Sequence, residues 1–264
     1  MPTTRREFLT VSTLGLTGVA VAPALGAGGS ERADDVAGTF PTTPPELARA
    51  IVGASHGNLE RVEELLREDR SLALARIDWG YGDWETALGA ASHVGRPEIA
   101  ELLMGHGARV NLFTLAMLDR VDAVRAVCEA MPGVQRTRGP HGISLMRHAR
   151  AGEASRVIEY LEGLGGADES EPGTVEPFEG QAGFHGVYAG DGLEIEIGDH
   201  RRGWLCVKRP GSGAHVLRRR SEWAFSPSGA PHVRFEFEAG SDGGIGALSV
   251  SGGSASVRAV RVEG

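Results

Sequence analysis

Apolar positions along this chain follow two different periods, and the switch between them falls near residue 170. Before it, apolar residues recur three and four apart, as in Ile99, Leu102 and Leu103 or in Val121, Val124, Val127 and Cys128. That spacing gathers them on one face of a helix. After it, Leu193, Ile195 and Ile197 alternate with Glu194 and Glu196, and Val233, Phe235 and Phe237 alternate with Arg234, Glu236 and Glu238. A period of two marks antiparallel strands with one buried face. The pattern predicts a multidomain α + all-β chain, helical first and all-β second. Between the two, Asp168 to Gln181 reads DESEPGTVEPFEGQ, acidic and without an apolar period. Residues 169–181 are therefore expected to be an exposed linker.

In the helical part, residues 86–111 read TALGAASHVGRPEIAELLMGHGARVN. Thr86, Ala87 and Leu88 open a short helix whose Ala90 and Ala91 permit close packing, and Gly95 permits a turn. A second helix is expected from Glu98, with Gly107 where a left-handed cap is wanted. This order resembles the helix-turn-helix unit of an ankyrin repeat, although Ala87 and Gly89 replace the Pro and His of the family's opening motif. One such unit cannot bury its own faces, so the resemblance implies neighbours. GNLERVEELL begins at Gly57, 38 residues before Gly95, and DRVDAVRAVC begins at Asp119, 24 residues after it. The latter is preceded directly by LFTLAML as its first helix. In GISLMRHARAGEASRVIEYLEGLGGAD, Leu145, Ala149 and Gly152 match Leu88, Ser92 and Gly95. About four units are expected over residues 44–168, a short ankyrin solenoid. The long first spacing implies an enlarged finger, RIDWGYGDWE.

The second part contains about eight short alternating segments, from FHGVY at Phe184 to VRAVRV at Val257, separated by turn signals such as Ala189–Gly192 and Gly240–Gly244. A meander of this kind is expected to close into a small antiparallel eight-stranded barrel over 182–264, which removes exposed edges. Gly186 to Tyr188, the acidic second strand and the final strand pair resemble the small lipocalin-like β-domain appended to bacterial serine hydrolases of the penicillin-binding and β-lactamase class. No counterpart of that hydrolase's catalytic domain is found in the sequence. Phe178, Phe184, Tyr188, Trp204, Trp223, Phe225, Phe235 and Phe237 lie in this part. They are expected to pack a solid core, with a cavity for an apolar ligand as the alternative.

At the N-terminus, Thr4, Arg5, Arg6, Glu7, Phe8 and Leu9 resemble the twin-arginine export motif. The weakly apolar stretch that follows is broken by Thr10, Ser12, Thr13 and Thr17, which argues against a permanent membrane span. Residues 1–27 are expected to be a signal peptide cleaved between Ala24 and Gly28, and 28–43 a disordered linker. The resemblance implies a periplasmic or secreted bacterial protein. Without the signal, the chain keeps 25 basic and 34 acidic residues. That balance disfavours general nucleic-acid binding. Cys128 and Cys206 are expected to be small core residues rather than a disulfide.

Candidate chemistry is sparse. The sequence has no HExxH, no His/Cys pairs at zinc spacing, no phosphate-binding loop and no GxSxG. No catalytic residue, cofactor or metal ligand is assigned. The Gly-rich stretches at Gly211 and Gly244 read as turns, His56 and His93 as loop residues, and His106 as a packing and capping residue. Two surfaces suggest contact with a protein or peptide. Trp79, Tyr81 and Trp84 on the enlarged finger are natural anchors, with Trp84 equally able to fold back over the stack. Arg136, Arg138 and His141 crowd a second finger, either to meet a carboxylate or phosphate or as a solvated turn. The expectation is an exported, non-catalytic protein-binding module. Its alternatives are an apolar ligand carrier and an accessory modulator of an exported serine hydrolase.

Overall fold

The computed structural model describes residues 43–210, 213–241, 243–252 and 255–262. The export motif, its cleavage site and residues 28–42 lie outside this set. The described helices fall into four pairs: α1 (Pro45–Ala54) with α2 (Leu59–Glu68), α3 (Ala87–His93) with α4 (Pro97–Gly105), α5 (Leu112–Met117) with α6 (Val121–Ala130), and α7 (Leu145–Ala151) with α8 (Ser155–Leu164). Several begin on a side-chain cap, as Asn58, Thr86 and Asn111 accept from the backbone N–H of Arg61, Gly89 and Thr114. The last three pairs turn alike. Gly95, Asp119 and Glu153 take φ of 69°, 54° and 52°. The next N–H reaches back five residues in each case, Arg96 to Ala91, Arg120 to Leu115 and Ala154 to Ala149, all at 2.9 Å.

Helices α1, α3, α5 and α7 lie side by side, and the small buried residues Ala87, Ala90, Ala91, Ala116 and Ala149 permit it. Ile51, Leu65, Leu88 and Leu103 form the core of the first half, and Val124, Leu145, Val157 and Leu161 that of the second. The turns also interlock between pairs. A Cβ at Gly95 would lie 1.9 Å from the Ala151 carbonyl oxygen, and one at Gly152 would lie 2.0 Å from that of Met117.

The enlarged finger is a β-hairpin, β1 (Arg76–Gly80) paired with β2 (Asp83–Thr86). Tyr81 and Gly82 make its two-residue turn at φ 58° and 82°, the mirror-image geometry that matches the twist of paired strands. Alternation along β2 buries Asp83 and Glu85 and leaves Trp84 outside.

The all-β part is the expected eight-stranded antiparallel barrel, so the fold as a whole is α + β. Strands β3 (Gly186–Gly190), β4 (Leu193–Asp199), β5 (Leu205–Lys208), β6 (Ala214–Arg219), β7 (Ala224–Pro227), β8 (Arg234–Ala239), β9 (Ile245–Gly252) and β10 (Ala255–Val262) close in sequence, with β10 beside β3. The Gly-rich stretch at 244 leads into β9, whereas Gly211 and Ser212 lie outside the described residues. Ile195 and Ile197 point in while Glu194 and Glu196 point out. Phe184 meets Phe225 and Phe237, and these meet each other, at centroid distances of 5.1, 4.9 and 5.6 Å. The Tyr188 hydroxyl is satisfied by the Phe184 carbonyl at 2.9 Å. Cys128 and Cys206 are buried and unpaired.

The acidic segment 169–181 is mostly exposed, as expected of a linker, but it is tied down at particular residues. Glu171 and Gln181 are buried, and Thr174 exchanges backbone hydrogen bonds of 3.1 and 2.8 Å with Arg219. Arg219 lies past the last β6 residue paired with β5, so its backbone groups need partners that the segment supplies. Arg218 adds donors to the carbonyls of Glu171 and Gly173 at 3.0 and 2.8 Å. Helices, hairpin, segment and barrel belong to one unit beginning at Thr43.

The interlocking of turns is measurable. Gly107 has φ 96° but open space around it, so Gly107→Ala carries only the left-handed backbone cost of about 1–2 kcal/mol. Gly95→Ala adds the clash with Ala151, roughly a further 1–3 kcal/mol. Thermal unfolding is expected to show a Tm loss about twice as large for Gly95→Ala as for Gly107→Ala. Equal losses would mean that the pairs do not approach so closely.

Candidate functional site

The inward face of β2 carries a carboxylate into the middle of the helical part. The Glu85 side chain is 0% exposed. Its Oε2 accepts the Trp79 indole N–H at 2.9 Å. Around Oε1 stand three imidazole nitrogens, His56 Nε2 at 3.4 Å, His93 Nδ1 at 3.4 Å and His141 Nε2 at 3.5 Å. Each arrives on a different segment: His56 follows α1, His93 ends α3, and His141 sits on the finger before α7. Their outer atoms are held as well. His56 Nδ1 lies 3.0 Å from the Val52 carbonyl. Asp83 takes both the backbone N–H of His141 at 2.9 Å and its Nδ1 at 2.8 Å. A further imidazole, His148, is fully buried with Nδ1 on the Ser144 carbonyl at 2.9 Å, its ring against Phe113.

The electrostatics follow from burial set against charge. Burial pushes the Glu85 carboxyl up, but the His141 and His56 imidazoles outweigh it and hold the group at about 2. For His141, burial favours the neutral ring, yet Asp83 and Glu85 raise it to about 9. His56 is raised by its contact with Glu85 against the opposing effect of burial. Burial brings His93 down to about 4, the pull of Glu85 being opposed by the neighbouring imidazoles. His148 is lowered by burial. The cluster therefore combines an ionised Glu85 and a cationic His141 with a neutral His93.

The outer part of the same hairpin docks on the barrel. The Trp79 carbonyl accepts from His215 Nε2 at 2.6 Å. The Tyr81 ring meets His215 and Phe235 at 5.4 and 5.8 Å, with the Arg209 guanidinium 4.9 Å from its centroid. Trp79 also covers Gly213, where a Cβ would lie 2.3 Å from the ring. Trp79 and Tyr81, expected as anchors for a partner, are thus seated on the chain's own barrel. Trp84 stays 48% exposed beneath Arg76 and does not fold back over the helices.

The second finger is divided in the same way. Arg136 pairs with Glu169, and Arg138 donates to the carbonyls of Gly142 and Glu169. His141 turns inward to Asp83 and Glu85, so the three do not form one cationic tip. Residues 56, 83, 85 and 93 were not assigned from sequence. The one available signal was the alternation Asp83, Trp84, Glu85, which has inward polar residues only once the finger is recognised as a hairpin.

Between the helices and the barrel lies a cleft of about 630 Å³. Arg138, Arg147, Arg201, Arg202 and Arg218 line it against Asp168, Glu169 and Glu171, an excess of cations in a chain of net charge −8. Trp204 lies there too, stacked on His200 and within 5.1 Å of the Arg202 guanidinium. The guanidiniums of Arg147 and Arg201 make no hydrogen bond or ion pair among the described residues. His56, Trp79, His141 and His215 also reach this cleft.

No protein-family model matches the chain, and no curated protein matches it. Among solved structures, it is similar to one described as the crystal structure of SurE with D-Leu, at 21% identity over 43% of this chain and a TM-score of 0.27. The match spans 27% of that protein's length. A likeness so slight carries no argument about fold or function.

The docking of the hairpin is open to test by thermal unfolding. Trp79→Ala and Tyr81→Ala are each expected to destabilise the protein by about 2–4 kcal/mol, as loss of a packed ring does. Trp84→Ala is expected to cost about 1 kcal/mol at most, the value of an exposed cation–π contact. Unchanged stability in the first two would mean that the hairpin does not hold the barrel.

Proposed function

We propose that the chain is an exported, non-catalytic binding protein whose helix pairs form an ankyrin-type stack. In this reading the cleft between stack and barrel receives an anionic segment of a protein or peptide partner. The carrying observation is the arginine excess in that cleft, in a chain otherwise rich in acid. Arg147 and Arg201, unengaged among the described residues, are the first donors to such a ligand. Guanidiniums suit carboxylates through paired N–H donors, and the Trp204 ring offers an apolar surface beside them.

The ankyrin reading is supported by residues 86–111, by the recurring turn of the pairs and by their polar caps. The export reading is supported by Arg5 and Arg6 in their twin-arginine setting. An apolar ligand inside the barrel is less favoured, because the rings that would line its cavity are in contact with one another. Trp84 remains available as a peripheral contact.

Fluorescence polarisation with a labelled Glu/Asp-rich peptide tests the reading. The protein is expected to bind it, with affinity falling as salt is raised. The double variant Arg147→Glu, Arg201→Glu is expected to weaken binding about tenfold or more, since like charges then face the ligand. Absence of binding, or binding that ignores both salt and the double variant, would refute the cleft as the recognition surface.

A further inference from the structure

We infer that His56, Glu85 and His93 form a binding site for one divalent transition-metal ion of the zinc class. The inference goes beyond the binding function proposed above and stands independently of it.

The argument begins with atoms left over. Glu85 Oε1 and His93 Nδ1 are both buried without a hydrogen-bond partner, and the His93 side chain is only 8% exposed. Buried polar atoms are rarely left so. Two of the other atoms are already committed, Glu85 Oε2 to Trp79 and His56 Nδ1 to the Val52 carbonyl. In the neutral ring, a proton on Nδ1 facing Val52 leaves the Nε2 lone pair of His56 directed toward Oε1. Two imidazole lone pairs and a carboxylate oxygen then converge, a donor set that suits a divalent ion of the zinc class. The three donor atoms lie within 4.8 Å of one another.

The spacing of the donors fits a metal ion in that role. Charge-assisted N–H···O bonds close to about 2.7–2.9 Å, whereas both imidazoles stop 3.4 Å from Oε1. A tetrahedral ion with bonds of about 2.0–2.1 Å sets its ligand atoms about 3.4 Å apart. The second sphere has the form metal sites use, with a carbonyl fixing one imidazole and an indole fixing the carboxylate. His141 stands beside the triad as a positioning residue, with Nδ1 on Asp83. Two imidazoles and one carboxylate leave a further coordination position, and His56 and His141 both line the cleft from which it would be reached.

The test uses the full chain stripped with a chelator, titrated with Zn²⁺ by calorimetry and with Co²⁺ by visible absorption. One ion per chain is expected, with a Kd of about 1 μM or tighter, the intense d–d bands of a low-coordinate Co²⁺ site, and a raised Tm in excess Zn²⁺. Glu85→Gln and His93→Gln are each expected to weaken binding by about 100-fold or more, beyond what loss of an outer-sphere partner does. If either fails to fold, His56→Gln, at a side chain 36% exposed, carries the same expectation. His185→Ala, which removes the surface pair with Asp199, is expected to leave binding unchanged. No saturable binding to the unaltered chain, retention of binding in His56→Gln, or its loss in His185→Ala would overturn the assignment.

Discussion

A buried carboxylate is costly unless its surroundings answer it, and the arrangement around Glu85 is that answer. Desolvating such a group costs several kcal/mol even after relaxation. Trp79 supplies one donor from the neighbouring strand, and His56, His93 and His141 converge on the other oxygen. Those imidazoles come from three places along the helical part. The carboxylate can be buried only if the first, second and fourth helix pairs and the hairpin are all in register. Asp83 extends the constraint by fixing His141 through two hydrogen bonds.

The hairpin thereby acquires two duties, one toward the helices and one toward the barrel. Along its inward face it plugs the helical part with carboxylates; toward its tip, Trp79 and Tyr81 seat on Gly213, His215 and Phe235 of the barrel. A finger rich in aromatic residues suggests a surface waiting for a partner. Here the chain supplies that partner itself, and joining helices to barrel creates the cleft with its arginines. Segment 169–181 completes the join, because Arg218 and Arg219 need the carbonyl and N–H groups it brings. Recognition is thus proposed at the seam of the two parts, not at the finger tips.

Much of the architecture was legible in the residues. The change of apolar period near 170 separated helices from strands, the turn glycines Gly95 and Gly107 marked helix ends, and the alternations at Leu193 and Val233 became β4 and β8 of a closed barrel. These are local signals, since a period records which face of an element is buried. The same logic hid the site. A pattern treats Glu85, His56 and His93 as polar positions, and polar positions are presumed to face water.

What the sequence determined by itself was therefore the list of elements and their apolar faces, because periodicity is written into neighbouring residues. The tertiary structure alone decided which polar residues those faces enclose. Glu85 meets His56 and His141 only after distant segments pack, and no local pattern distinguishes a carboxylate aimed at solvent from one aimed at three imidazoles. Partner choice for Trp79 and Tyr81 was decided at the same level, since an exposed ring and a docked one have the same sequence. Burial by contact between remote segments is the physical reason for both.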